Sequence, residues 1–366
     1  MPLAIALAAV LLPIAGSRSE ASQAGSRAHG KQGGREAAPS VIFGIHPGGA
    51  VGTIGPGGRP KPEDADLRLA ALRRLRGRGR FVVHLYDAYT SGADGSALPS
   101  GLSEQIADYT ADGFEIELVL AYRPARRSGD VDGFAGFVRE RVRQLGPNPG
   151  VTALQVTNEA NVNGSASATD GFYPGARDAL IRGTIAARDE ADRLGHRHLK
   201  VGFNWAYGTG KAEKAFWNYL GRRGGARLAA AVDWVGLDVY PGTWGPAVEG
   251  DLAAGVRDVT LDAVGALRGT YMPLAALPGS VPIRVCEGGY PTGPGRSDAA
   301  QVTAMRALLS TVLDASRTYN ISDFRWFDLR DADSSSESFE AQYGIMRDDY
   351  RPKPAFETYR ALVAGS

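Results

Sequence analysis

Two glutamates each close an apolar run and are flanked by small or uncharged residues: Glu159 in VTALQVTNEANV and Glu287 in VPIRVCEGGYPTG. Such company suits a carboxyl whose proton affinity is to be set by burial and by a second charge brought near in space. Two carboxyls converging on one pocket suit cleavage of a glycosidic bond. One protonates the departing oxygen, and the other attacks the anomeric carbon or activates water to do so. Side chains alternate along a strand, so Glu159 shares a face with Thr157, Gln155 and Ala153, opposite Leu154 and Val156. By the same count Glu287 shares a face with Val285 and Ile283, while Gly288 and Gly289 clear space beside it. Arg284 then points toward the outer layer, where only a buried ion pair would accommodate it.

Other chemistries find little support. One cysteine, Cys286, excludes an intramolecular disulfide and a CxxC redox pair, and it reads as an inert buried thiol. There is no H-E-x-x-H, no G-x-S-x-G and no G-x-x-x-x-G-K-[ST], so a catalytic zinc, a nucleophile elbow and a P-loop are all disfavoured. No metal and no cofactor are expected. Asp328, Asp331 and Asp333 read as a solvated acidic loop rather than a calcium site, made flexible by Ser334, Ser335, Ser336 and Ser338. Aromatic side chains bind the flat C–H faces of sugars. Trp205, Tyr240, Trp244 and Trp326 fall at or just past strand ends, with Tyr86, Tyr89 and Tyr122 as further candidates. His46 and His84 are expected to contact substrate, although His84 equally suits a satisfied position in the core.

The elements that must hold these residues alternate. Short apolar runs at 41–46, 81–87, 114–122, 151–157, 199–205, 232–240, 281–287 and 323–328 read as buried strands. Helical stretches follow each of them, near 62–77, 100–112, 131–145, 175–194, 212–229, 250–268, 298–318 and 353–363. The third shows its face plainly, with Phe134, Phe137, Val138, Val142 and Leu145 at helical spacing. Eight strand-then-helix units predict a single-domain (β/α)8 TIM barrel over residues 40–366. The alternative, a doubly wound sheet, lacks its G-x-G-x-x-G turn. Barrel sites lie at the C-terminal strand ends, where both glutamates fall.

Of 366 residues, 43% are hydrophobic and 22% charged, which permits a large core. A formal net charge of +1 argues against nucleic acid as the main partner. Residues 1–24 read as a signal peptide: they carry a short apolar run broken by Pro13 and lack a charged start. Residues 25–39 read as a disordered linker, and the chain is expected to be secreted, with no membrane partner once the leader is removed.

These residues together resemble the retaining glycosidases of clan A, (β/α)8 hydrolases with catalytic glutamates on strands 4 and 7. The resemblance implies that Glu159 is the general acid/base and Glu287 the nucleophile of a double displacement on a β-linked oligo- or polysaccharide. It implies that Asn158 meets the sugar 2-hydroxyl, that Tyr240 in VGLDVYPG touches the nucleophile, and that Trp326 in FRWFDLRD floors the reactive subsite. The tail YGIMRDDYRPKPAFETYR is similar to the stretch that closes such barrels. Many members carry an arginine at the end of strand 2; here that strand reads FVVHLYDAY, and Arg123 after strand 3 is the available substitute. Two rival readings remain: a barrel that binds carbohydrate without catalysis, and a hydrolase whose Glu159 and Glu287 hold a metal.

Overall fold

The computed structural model describes residues 41–49, 52–90, 97–125 and 128–365. The expected leader and linker lie outside the described residues. Eight strands form a closed, all-parallel barrel in sequence order: β1 (Ile42–Ile45), β2 (Val82–Tyr89), β3 (Glu115–Tyr122), β4 (Val151–Val156), β5 (Lys200–Ala206), β6 (Trp234–Val239), β7 (Ile283–Gly288) and β8 (Ile321–Trp326). Pairing of Ile45 with Trp326 is part of the β1–β8 seam that closes it.

Eight main helices form the outer ring: α1 (Ala65–Arg76), α2 (Ser100–Ala111), α3 (Val131–Leu145), α4 (Ala176–Leu194), α5 (Lys211–Ala231), α6 (Leu252–Ala266), α7 (Asp298–Tyr319) and α8 (Pro354–Ala364). Local chemistry sets their ends. Asp64, Asp130, Asp251 and Ser297 each accept a backbone N–H of the first turn. Asn320 ends α7 in the left-handed region, at φ 52°. The predicted apolar stripe of α3 is buried, and so is Arg141, whose guanidinium reaches Asp87 on β2 at 2.6 Å.

Apolar side chains of the strands face outward into the main core, whereas the barrel interior is largely polar. Glu117 on β3 meets Arg284 on β7 at 2.6 Å and Arg325 on β8 at 3.5 Å, and Arg325 also holds Asp323 at 2.8 Å. Burial alone would raise the Glu117 proton affinity, but Arg325, His84 and Arg284 outweigh it and hold the carboxyl well below the usual range. Arg284 therefore points inward, stacked over Trp234 at 4.7 Å, while Ile283 and Val285 join the outer core. This reverses the sidedness expected for most of β7. The reason is a bulge: Leu237 pairs with Val285 but Asp238 pairs with Glu287, so Cys286 is skipped. Cys286 packs inside with Ala153 and Trp234, and Glu287 still reaches the mouth.

The acidic stretch after β8 is not solvated. Asp331 and Lys353 form a 2.6 Å ion pair with both side chains fully buried, and Lys353 also reaches Thr292 at 2.8 Å. Asp328 and Asp333 are buried as well, and Ser334, Ser335, Ser336 and Ser338 all take part in hydrogen bonds. Lys353, within the R-P-K-P-A segment, thus ties this loop down just before α8 begins.

Candidate active site

A cavity of about 370 Å³ opens at the C-terminal ends of the strands, with Glu159 and Glu287 in its wall. One carboxylate oxygen from each of Glu159, Glu287 and Asp238 lies within 4.8 Å of the other two. The parity argument for β4 holds: Leu154 and Val156 join the outer core, and Ala153 packs inside. Past the strand, Thr157 (φ 66°) and Glu159 (φ 48°) both occupy the left-handed region, which is costly for side chains of this kind. Tertiary bonds hold this turn. Asn204 on β5 accepts the Glu159 backbone N–H at 2.9 Å, and the Asp170 carboxylate accepts those of Asn158 (2.7 Å) and Tyr122 (2.6 Å).

The two glutamates sit in different surroundings. Glu287 accepts the Tyr240 hydroxyl at Oε2 (2.6 Å) and the Tyr86 hydroxyl at Oε1, so each of its oxygens already holds a donor. Burial, then the Glu287 charge, pushes both phenols well above their ordinary range, so they stay protonated donors. No described side chain hydrogen-bonds the Glu159 carboxyl. Burial first, then the Glu287 charge and Asp170, raise it well above the ordinary carboxylate range. Asp238 is raised likewise, by burial, then Glu287 and Glu159. Its Oδ2 accepts the Asn204 amide, and its buried Oδ1 has no partner. Asp170 is pushed up to about 7 by burial, against the pull of its two backbone donors and Arg123.

The three carboxyls form a group whose oxygens are close enough together for a metal ion. Both oxygens of Glu287 are already engaged by phenolic protons.

Of the residues singled out in the sequence, Asn158, Glu159, Tyr240 and Glu287 share this cavity, together with Tyr86, Arg123 and Trp244. The Asn158 amide is fixed from several sides: its oxygen accepts from Asn204 (2.9 Å) and Gln155 (3.3 Å), and its nitrogen donates to the Ala168 carbonyl (2.8 Å). Trp244 is 41% exposed and stacks on Tyr343 at 4.5 Å, beside Tyr240.

Six expected contacts fall elsewhere, among them Tyr89 and Tyr122, which are buried in the outer core with their hydroxyls on Asp130 and the Pro174 carbonyl. Trp326 is fully buried on the outer side of β8, against Tyr359 of α8; its neighbour Phe327 lines the cavity instead. Trp205 is fully buried against Trp217 and Tyr271, and its Nε1 donates to Glu213 at 2.6 Å; Tyr207 takes the place on the wall. For Trp326 the error is one residue of strand parity; for Trp205 the wall residue Tyr207 lies two residues on, just past the end of β5. His46 stacks on Phe327 and edges Tyr86, lining a separate 210 Å³ cavity; burial and then His84 lower it to about 3, leaving a neutral ring. His84 is fully buried between Glu117 (3.0 Å) and the Tyr86 hydroxyl (3.3 Å).

Asp238, Asn204, Asp170, Tyr207 and Phe327 were not singled out. A signal existed for two of them: Asp238 shares strand phase with Tyr240, and Phe327 shares it with the inward Asp323 and Arg325.

No protein-family model matches the chain, and no curated protein sequence matches it. Solved structures do. A β-glucuronidase from an uncultured Clostridium species superposes with a TM-score of 0.57 at 13% identity, over 89% of this chain and 51% of that one. A family 39 glycoside hydrolase from Bacteroides cellulosilyticus gives 0.55 at 16% identity, over 89% and 65%. A β-glucuronidase from Ruminococcus gnavus in complex with D-glucuronic acid gives 0.55 at 14% identity, over 89% and 49%. This chain thus spans about half to two thirds of those chains, and what it shares with them is the fold, an eight-stranded parallel (β/α)8 barrel.

Proposed function

We propose that this chain is a retaining O-glycoside hydrolase acting on a β-linked oligo- or polysaccharide, with Glu159 as acid/base and Glu287 as nucleophile. The observation that carries the reading is the carboxyl pair: oxygens within 4.8 Å across one cavity, one group proton-retaining and the other held by two phenols. That separation suits direct attack by a carboxylate, whereas inverting enzymes leave about 6.5–9.5 Å for a water.

The steps follow from the environments. Glu159 delivers its proton to the glycosidic oxygen while a Glu287 oxygen attacks the anomeric carbon, giving a glycosyl ester and the free leaving group. Once Glu287 is esterified its charge is gone, and Glu159, now a carboxylate, takes a proton from an incoming water whose oxygen attacks the anomeric carbon; the bond to Glu287 breaks, releasing the sugar and the Glu287 carboxylate. Tyr240, Phe327 and Trp244 supply aromatic surface for the sugar. Arg123 is the one cationic side chain on the described wall, so a uronide belongs beside neutral sugars among the test substrates.

The test is a panel of aryl β-glycosides, including the glucuronide, and of polysaccharides. Glu287→Ala should abolish turnover, and added azide should return an inverted glycosyl azide. Glu159→Ala should slow poor leaving groups far more than activated aryl ones. Binding without hydrolysis by the wild type would favour a carbohydrate-binding barrel instead. Activity lost to a chelator and restored by a divalent ion would favour the metal-dependent reading.

A further inference from the structure

A continuous polar chain runs through the barrel interior to the proposed nucleophile. Glu117 on β3 is fully buried, and Arg284 and Arg325 keep it a carboxylate. Its Oε1 lies 3.0 Å from His84 Nδ1 on β2; His84 Nε2 lies 3.3 Å from the Tyr86 hydroxyl; and that hydroxyl donates to Glu287 Oε1. The groups around His84 are therefore Glu117, Tyr86 and, across the ring of Tyr86, a neutral His46, with the two arginines behind Glu117.

Counting protons fixes the roles. A carboxylate only accepts, so Nδ1 must donate to Glu117. A phenol has one proton, and here it is turned to Glu287, so its oxygen can only accept from His84. Both ring nitrogens are then donors. We propose that His84 is a doubly protonated positioning residue, which accepts no proton from Tyr86 and so directs the Tyr86 hydroxyl onto Glu287. The cation lies one residue behind the nucleophile, where it fixes the carboxylate's orientation and offsets its charge. In the glycosyl-enzyme the same donor stays on the ester and favours the carboxylate again as it leaves. This role rests on the reading of Glu287 as nucleophile; the proton count on His84 does not.

The experiment has two arms that fail separately. In histidine-labelled wild-type protein, long-range ¹H–¹⁵N correlation spectra should show both His84 nitrogens protonated at neutral pH, the signals being assigned by their loss in His84→Gln. One unprotonated His84 nitrogen overturns the proposal, whatever the activity. In the kinetic arm, Tyr86→Phe, which removes one oxygen and keeps the ring, should cut kcat/KM by tenfold or more. His84→Gln should cut it comparably and move the acid limb of the pH profile up by about one unit. The double variant should be no slower than Tyr86→Phe within about twofold, because both act through one bond. Multiplying losses with an unmoved acid limb would mean that His84 serves packing alone and would overturn the relay. If no glycoside is turned over at all, the proposed function fails, and the nitrogen spectra still decide the charge of His84.

Discussion

Replacing Glu287 by glutamine should lower the proton affinity of Glu159. The two carboxyls have oxygens within 4.8 Å of each other, and burial and the Glu287 charge are the two leading causes that hold Glu159 high. At 4.8 Å, and with an effective dielectric of about 20, a unit charge contributes about 3.5 kcal/mol, or about 2.5 pKa units. The amide keeps the shape and removes the charge. Glu159→Gln in parallel assigns the resonance in a ¹³C titration of side-chain carboxyls. The Glu159 midpoint should fall by about two units in Glu287→Gln, with burial holding the remainder. The same fall is expected in wild-type enzyme trapped as a 2-deoxy-2-fluoroglycosyl ester, which neutralises Glu287 by a different route. A midpoint that moves by less than about 0.3 units would show that the two groups do not share a field, and the acid/nucleophile assignment would lose its basis.

Asp238→Asn replaces a proton-retaining acid by a neutral amide that still accepts from Asn204, so kcat should stay within about tenfold of wild type; a loss of a hundredfold or more in steady-state assays would show that a charge is needed there. Asp170 binds a proton in the folded protein up to about pH 7, whereas the unfolded chain releases it near pH 4. The native state holds the extra proton between those values, so its contribution, on the order of 4 kcal/mol at most, is full below pH 4 and lost as pH rises to 7. Asp170→Asn should flatten that slope in denaturant melts run at pH 4, 5.5 and 7. Lys353→Met strands Asp331 in a fully buried site and should cost about 3–5 kcal/mol by urea unfolding, part of which a second change, Asp331→Leu, restores.

The two glutamates are legible in the sequence because each closes an apolar run at the C-terminal end of a strand. On β4 the alternation of Leu154 and Val156 with Ala153 and Gln155 holds to the strand end, but Glu159 lies three residues beyond it in a turn with left-handed residues, so its direction is set by the bonds from Asn204 and Asp170 and not by parity. On β7 the same count reaches the right residue by the wrong route, because a bulge at Cys286 flips the phase between Val285 and Glu287. A bulge leaves no composition signature. Trp326 and Trp205 show the opposite failure. Large aromatics at strand ends serve the helix-facing core as readily as a sugar, and the inward charges of Asp323 and Arg325 mark the true phase of β8. Asp238 and Asp170 act through partners more than 30 residues away in sequence or through backbone donors, contacts that no local pattern records.

The charged interior of the barrel also constrains how the chain reaches this state. Glu117 enters with the third strand, but the arginines that neutralise it arrive on the seventh and eighth. A half-assembled sheet would bury Glu117 with His84 alone and without its two arginines, or leave its inner face wet, so partial barrels gain little from collapsing early. Closure of the barrel and full pairing of Glu117 are therefore expected to coincide. A fragment ending before Ile283 should therefore remain an expanded, protease-sensitive chain rather than a stable partial barrel.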